Sequence, residues 1–253
     1  MREIDYLAEE LRKLDYLCND DNELISVLSV QMPKFPPMNY GFFPGGNGLF
    51  RGEEANEFPF GGTLILGLNY GGYGGFIDDV TEALWTTDER NGATWKGLRH
   101  ILPESGIDLG KCFFTNAWPF LHKGKKNVAS PGKWLNKKNT KLTQECGAFF
   151  KKTFLLMRPS LVVTLGWGAA EFLRRVSPAN FGPTELGKFS DNWALRSGEA
   201  VYELESVRAV CFSIKHPAWG GSNRRPVDPS PEELEEIKTL RKAKKKAETL
   251  DCV

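Results

Sequence analysis

The sequence predicts an α/β domain: a three-layer α/β/α sandwich on a four-stranded parallel sheet. Two observations carry that prediction. Four apolar runs, Thr63 to Leu68, Cys112 to Ala117, Leu161 to Leu165 and Arg208 to Ile214, stand far apart in the chain, and helical patterns lie between them. Strands joined through helices pair in parallel, and the helices then cover both faces. The 253 residues, 41% hydrophobic and 12% aromatic, suffice for one substantial core, so the chain reads as a single domain. Its parts are an N-terminal helical and loop region over 1–62, a core over 63–221 and a C-terminal helix over 222–253.

Ile4, Leu7, Leu11 and Leu14 fall three and four apart among charged residues, the pattern of an amphipathic helix. From Lys34 to Gly62 the composition turns to Gly, Pro, Asn and aromatics, as in Phe42-Phe43-Pro44-Gly45-Gly46, which predicts a long ordered loop. After the first apolar run, Thr94 to Leu102 reads as a helix capped by Thr94. Leu142 to Met157 reads as a second one, ending before Pro159. Asn192 to Arg196 and Ala200 to Leu204, separated by Ser197-Gly198-Glu199, predict a hairpin inserted before the last strand. Ser230-Pro231-Glu232-Glu233 then opens a final helix with an N-cap, a first-turn proline and a capping-box acid. Leu234, Ile237 and Leu240 form its expected buried stripe, and Arg241 to Lys246 put positive charge at its other end.

Basic and acidic residues nearly cancel, 33 against 32, so net charge does not argue for a nucleic-acid partner. The five cysteines at 18, 112, 146, 211 and 252 form no C-x-x-C pair and read as reduced, mostly buried thiols without zinc or an iron-sulfur cluster. Met1-Arg-Glu-Ile-Asp lacks an apolar signal core, and no stretch approaches the roughly 18 apolar residues of a membrane span. A cytosolic, cytoplasmic protein without membrane contact is the expectation.

Ligands of an open parallel sheet bind beyond the carboxyl ends of its strands, where loops converge and helix N-termini present free N–H groups. Four segments fall at such ends: Gly67 to Phe76, Asn116 to Phe120, Gly166 to Ala170 and His216 to Gly221. Each alone reads equally well as a turn. Together and in this order, Gly67-Leu68-Asn69-Tyr70-Gly71, Phe114-Thr115-Asn116, Leu165-Gly166-Trp167-Gly168-Ala169 and His216-Pro217-Ala218 resemble the motifs of the uracil-DNA glycosylase superfamily. The resemblance spans about residues 60 to 221. In its first motif the chain is nearest the mismatch-specific and single-strand-selective branches, which carry asparagine in place of aspartate.

That resemblance implies a uracil-DNA glycosylase-like fold and a hydrolase, a monofunctional DNA glycosylase that uses no metal and no cofactor. The enzyme flips a pyrimidine nucleotide out of DNA and cuts the bond between base and sugar, leaving an abasic site. Asn69 then holds the attacking water, and His216 supports negative charge on O2 of the departing base, a contribution of about 3 kcal/mol. A carboxamide cannot take up a full proton, so such a mechanism leans on stabilising the leaving group and the sugar cation. Asp78 and Asp79 are alternative water activators, or simply a solvated helix start. Asn116 is the base reader: its amide pairs with uracil in one orientation and with cytosine in the other. Phe76 is the favoured stacking partner for the flipped base, with Tyr73 and Trp85 as competitors and core packing as the plainer role for each.

Two departures from the family pattern bear on the substrate. Gly71 stands where the strict uracil enzymes use a tyrosine to block the 5-position, so a 5-substituted or hypermodified pyrimidine fits the same edge. That admits a role in anti-phage defence as well as in DNA repair. Tyr70 replaces the usual proline, and Ala218 replaces the phosphate-gripping serine. For DNA contact, Trp219 is the candidate wedge, flanked by Pro217 and Ala218. Gly220, Gly221, Ser222 and Asn223 offer backbone and hydroxyl donors, and Arg224 and Arg225 add charge.

Between Pro119 and Gln144 stand seven lysines and no acid: Lys123, Lys125, Lys126, Lys133, Lys137, Lys138 and Lys141. Such a segment suits a nucleic-acid backbone, and equally a solvated loop. The implied partner is DNA, met by a monomer. No lysine in either motif takes a nucleophile position, which argues against a Schiff-base lyase. Two other classes stay open. One is a catalytically inactive binder of modified or abasic DNA, suggested by Tyr70 and Ala218. The other is a nucleotide-metabolising α/β enzyme, although the glycine loop matches neither common phosphate-binding pattern.

Overall fold

All four apolar runs form strands, each ending within a residue of its expected bounds. A computed structural model describes residues 2–20, 24–26, 58–69, 93–123, 140–181, 200–216 and 231–250. In chain order the described elements are α1 (Glu3–Arg12), α2 (Tyr16–Asp20), β1 (Leu24–Ser26), β2 (Thr63–Gly67), α3 (Ala93–Glu104), β3 (Cys112–Asn116) and β4 (Phe120–His122). There follow α4 (Thr140–Met157), β5 (Leu161–Leu165), α5 (Gly166–Val176), β6 (Ala200–Leu204), β7 (Val207–Ile214) and α6 (Pro231–Leu250).

Among the described residues the main sheet has five strands rather than four, in the order β3-β2-β5-β7-β6. β3, β2, β5 and β7 are parallel, as expected of apolar strands joined through helices. The strand Ala200–Leu204 of the predicted hairpin forms, and it is the fifth strand of the sheet. Ala200–Leu204 pairs antiparallel with β7, Leu204 facing Val207 across a two-residue turn in which Glu205 takes φ 54°. The physical reason lies in the core: Tyr202, fully buried, is ringed by Phe150, Phe154 and Phe181 at centroid distances of 6.1, 4.8 and 5.1 Å, and that packing draws β6 onto the sheet. The segment Asn192 to Arg196 lies outside the described residues. A separate two-stranded ladder pairs β1 with β4 antiparallel, Ile25 opposite Leu121.

Side chains alternate across the parallel strands and divide the core in two. One face, with Leu64, Leu66, Phe113 and Val162, packs under α1, α4 and α5; the other, with Ile65, Phe114, Val163 and Phe212, packs under α3 and α6. Each fully buried Leu or Phe contributes roughly 1.5–3 kcal/mol by leaving water. The N-terminal amphipathic helix forms as its spacing predicts, with Leu7 and Leu11 buried. Glu10, also buried, binds Lys13 at the C-terminal cap of its helix and Lys152 on α4, and these bonds hold its carboxyl below the ordinary value.

Three helix details differ from expectation. Thr94 lies inside α3, which begins at Ala93, so it is not the cap. On α6, Leu234 is 43% exposed and the buried stripe is Glu233, Glu236, Ile237, Leu240, Ala243 and Ala247. α6 also runs on to Leu250, which leaves Arg241 to Lys246 short of its last turn.

Cys18, Cys112, Cys146 and Cys211 are free thiols, and Cys252 lies outside the described residues. Burial pushes the Cys112, Cys146 and Cys211 thiols well above their ordinary value. Among the described residues no helix is long and apolar enough to cross a membrane.

Candidate functional site

The carboxyl edge of the parallel strands gathers the chemistry. After β2 the chain proceeds by α3, on one face, to β3; after β5 it enters α5, on the other face, and goes on to β7. Connections that leave neighbouring strands in opposite directions open a crevice between their ends. Read along this edge, Asn116 ends β3, Asn69 lies two residues past β2, Gly166 directly follows β5, and His216 lies two residues past β7. β2 and β7 are separated by one strand, so at a spacing near 4.8 Å their axes stand about 10 Å apart. A nucleoside is of that breadth.

The first half of the site is fixed by backbone. Gly67 lies opposite Asn116 in the ladder. Beyond that point the Ala117 N–H donates to the Gly67 carbonyl and the Trp118 N–H to the Leu68 carbonyl, each at 2.8 Å. These two bonds carry the pairing past the strand ends, so that Asn69 follows two positions beyond the Gly67–Asn116 pair. Trp118 is fully buried and meets the Phe172 ring of α5 edge-on at 5.9 Å, which anchors the segment from below. Asn116 is 5% exposed and alternates onto the face of Phe114, under α3 and α6; Asn69 is half-buried. Two carboxamides thus lie at the ends of neighbouring strands, each able to donate and accept.

The second half centres on His216, which is half-buried. Gly166 adopts φ +79° as β5 turns into α5, and a Cβ built there would stand 3.0 Å from the His216 Cβ. Only glycine lets the chain turn and admits the histidine at once. From the other face, the buried Glu236 carboxylate of α6 accepts the Lys215 N–H. The Lys215 ammonium lies 3.7 Å from Glu232 at the start of the same helix. One turn along, Glu233 faces His100 of α3 at 3.9 Å.

Such an edge can bind a planar polar ligand through amides, orient a water, and place an imidazole against developing negative charge. The buried thiols offer no nucleophile: burial keeps Cys112, Cys146 and Cys211 protonated.

Of the residues expected from sequence, the structure brings Asn69, Asn116 and His216 to one edge. Lys123 is exposed just after β4. Lys141, by contrast, belongs to α4 and lies 4.9 Å over the Tyr16 ring, a structural contact within the seven-lysine segment. Tyr70, Gly71, Tyr73, Phe76, Asp78, Asp79 and Trp85 lie outside the described residues, as do Lys125, Lys126, Lys133, Lys137, Lys138 and the segment from Pro217 through Arg225. Two residues at the edge had been given no role. Trp167, 39% exposed, begins α5 beside Gly166, and a tryptophan between two glycines at a strand end is the signal that could have marked it. Glu236 carried none, because a glutamate on a charged helix looks solvated.

The chain matches no protein-family model, and no curated protein matches it.

Proposed function

We propose that the protein is a monofunctional DNA glycosylase of the uracil-DNA glycosylase type, acting on uracil or on a 5-substituted or hypermodified pyrimidine in DNA repair or anti-phage defence. The observation that carries this reading is the placement of Asn69 and His216 on either side of β5 at the carboxyl edge, with Asn116 at the end of β3, the strand beside β2. The sequence motifs supply the chemistry, and the crevice supplies a place for one nucleoside.

In the proposed reaction the flipped pyrimidine lies between the ends of β2 and β7, its polar edge against Asn116. The bond between C1′ and the base nitrogen stretches, and its electron pair passes into the base. His216 donates a hydrogen bond to O2, where that charge collects. The sugar carbon becomes cationic, and a water held by the Asn69 carboxamide oxygen adds to it. The water's proton passes to solvent or to the departing base, so the products are a free base and an abasic site. Trp167, exposed beside Gly166, offers a face on which a base or neighbouring nucleotide stacks. Lys123 and the lysines after it offer charge to the phosphates.

The test is release of free base from matched DNAs carrying uracil, 5-hydroxymethyluracil or hypermodified cytosine, read by alkali cleavage at the abasic site. Tyr70 and Ala218 favour a second reading, a binder without chemistry. Tight binding with no base release from any of these DNAs would select it.

A further inference from the structure

We propose that Glu236 is a positioning residue of this site: its carboxylate holds the Lys215 N–H and thereby fixes how His216 leaves β7. The geometric part stands on the hydrogen bond alone, and the catalytic part rests on the glycosylase reading.

The first two turns of α6 bury charge rather than apolar side chains. Its buried stripe is apolar from Ile237 onward, yet its first two turns bury Glu233 and Glu236, at 6% and 5% exposure, while the adjacent Leu234 is 43% exposed. A small rotation of the helix would bury the leucine and release a carboxylate to water. Burying an ionised carboxylate costs several kcal/mol unless good partners meet it. The helix is therefore held in its phase by what the carboxylates bind.

What Glu236 binds is the first N–H past the end of the sheet. The β5–β7 ladder closes with Leu165 opposite Ile214, because Gly166 then turns into α5. On the other side of β7, the described part of β6 pairs from Leu204 opposite Val207 to Ala200 opposite Cys211. Lys215 thus emerges one residue past the end of the β5–β7 ladder, and Glu236 accepts its N–H there. A charge-assisted bond of this kind is stronger and more directional than one to a neutral acceptor. One residue on, the His216 Cβ rests against Gly166. The backbone around His216 is therefore gripped from both faces of the sheet, by the start of α5 on one side and by α6 on the other. Groups that act on a transition state must be held to about 0.5 Å, and a displacement near 1 Å can reduce rate about 100-fold.

The test uses the full chain with isotope-labelled histidine, whose three ring signals are assigned by single substitutions. His100, 3.9 Å from Glu233 on the same helix, reports whether α6 itself has moved. In Glu236→Leu, the His216 signal shifts or broadens while that of His100 stays. Glu236→Gln, which keeps an acceptor oxygen at the same reach, restores the His216 signal. Glu236→Asp keeps the charge but falls short, and it reproduces the displacement should the leucine variant fail to fold. Single-turnover base release falls about 10- to 100-fold in Glu236→Leu or Glu236→Asp, with DNA affinity within about twofold, and recovers in Glu236→Gln. An unmoved His216 signal in the leucine and aspartate variants overturns the proposal, and so does a His100 signal that moves with it. A His216 signal that moves as described, in a protein that releases no base from any DNA, upholds the positioning role and refutes the glycosylase reading instead.

Discussion

Gly166 and His216 meet so closely that a methyl group on the glycine would stand 3.0 Å from the histidine Cβ. The space a side chain would need at Gly166 is thus taken by His216, which brings the β5–α5 turn against the end of β7. It makes the position of His216 a property of the folded sheet.

Gly166→Ala tests that fit. At φ +79° an L-residue is strained by about 1–2 kcal/mol, and the added carbon pushes His216 by a few tenths of an ångström. The variant should lose about 1–2 kcal/mol in urea unfolding and base release should fall more than tenfold. Full activity would mean that His216 needs no such seat.

Trp167→Ala separates ligand contact from packing. With 39% of the residue exposed, its loss should leave the melting temperature within a few degrees. If a base or nucleotide stacks on the indole, DNA affinity falls about tenfold or more, since such stacking is worth about 1–3 kcal/mol. Unchanged affinity would remove Trp167 from the binding surface.

Lys123→Ala addresses the phosphate contact. Lys123 is exposed beyond β4. A lysine that neutralises one phosphate contributes about 0.9 to the slope of log affinity against log salt, and the variant should lose that much. An unaltered slope would mark Lys123 as a solvated charge.

Alkaline stability follows from the buried thiols and Tyr202. Burial raises Cys112, Cys146 and Cys211 above an ordinary 9.0 and Tyr202 above 10.0. Below those values both states are protonated and stability is at its full level. Above them the unfolded chain ionises while the folded protein keeps its protons, so stability falls as pH rises, by about 1.4 kcal/mol per pH unit for each group. Urea unfolding from pH 8.5 upward should show this slope, reduced by one group's share in Cys146→Ala. A flat profile would contradict the burial of these thiols.

The four parallel strands were legible because every residue in β2, β3 and β5 is buried, and such strands read as unbroken apolar runs. The positions of Asn69, Asn116 and His216 followed from that, since a residue just past a parallel strand must lie at its carboxyl edge. The strand Ala200–Leu204 was legible, but its pairing with β7 was not, because the turn between them uses Glu205 at φ 54° without glycine or asparagine. The phase of α6 was misread for a related reason. Local hydrophobicity favours burying Leu234, and the hydrogen bond from Lys215 to Glu236, across 21 residues of chain, is not visible in any window of sequence.

The most direct test of the account is base release by the wild-type protein against His216→Ala and Asn69→Ala on the same modified DNAs, with binding measured in parallel. The account predicts a free pyrimidine and an abasic site from the wild type. Release should fall at least 100-fold in His216→Ala, as the loss of about 3 kcal/mol requires, with DNA still bound. Base release that persists undiminished in both variants would place the chemistry elsewhere and contradict the account.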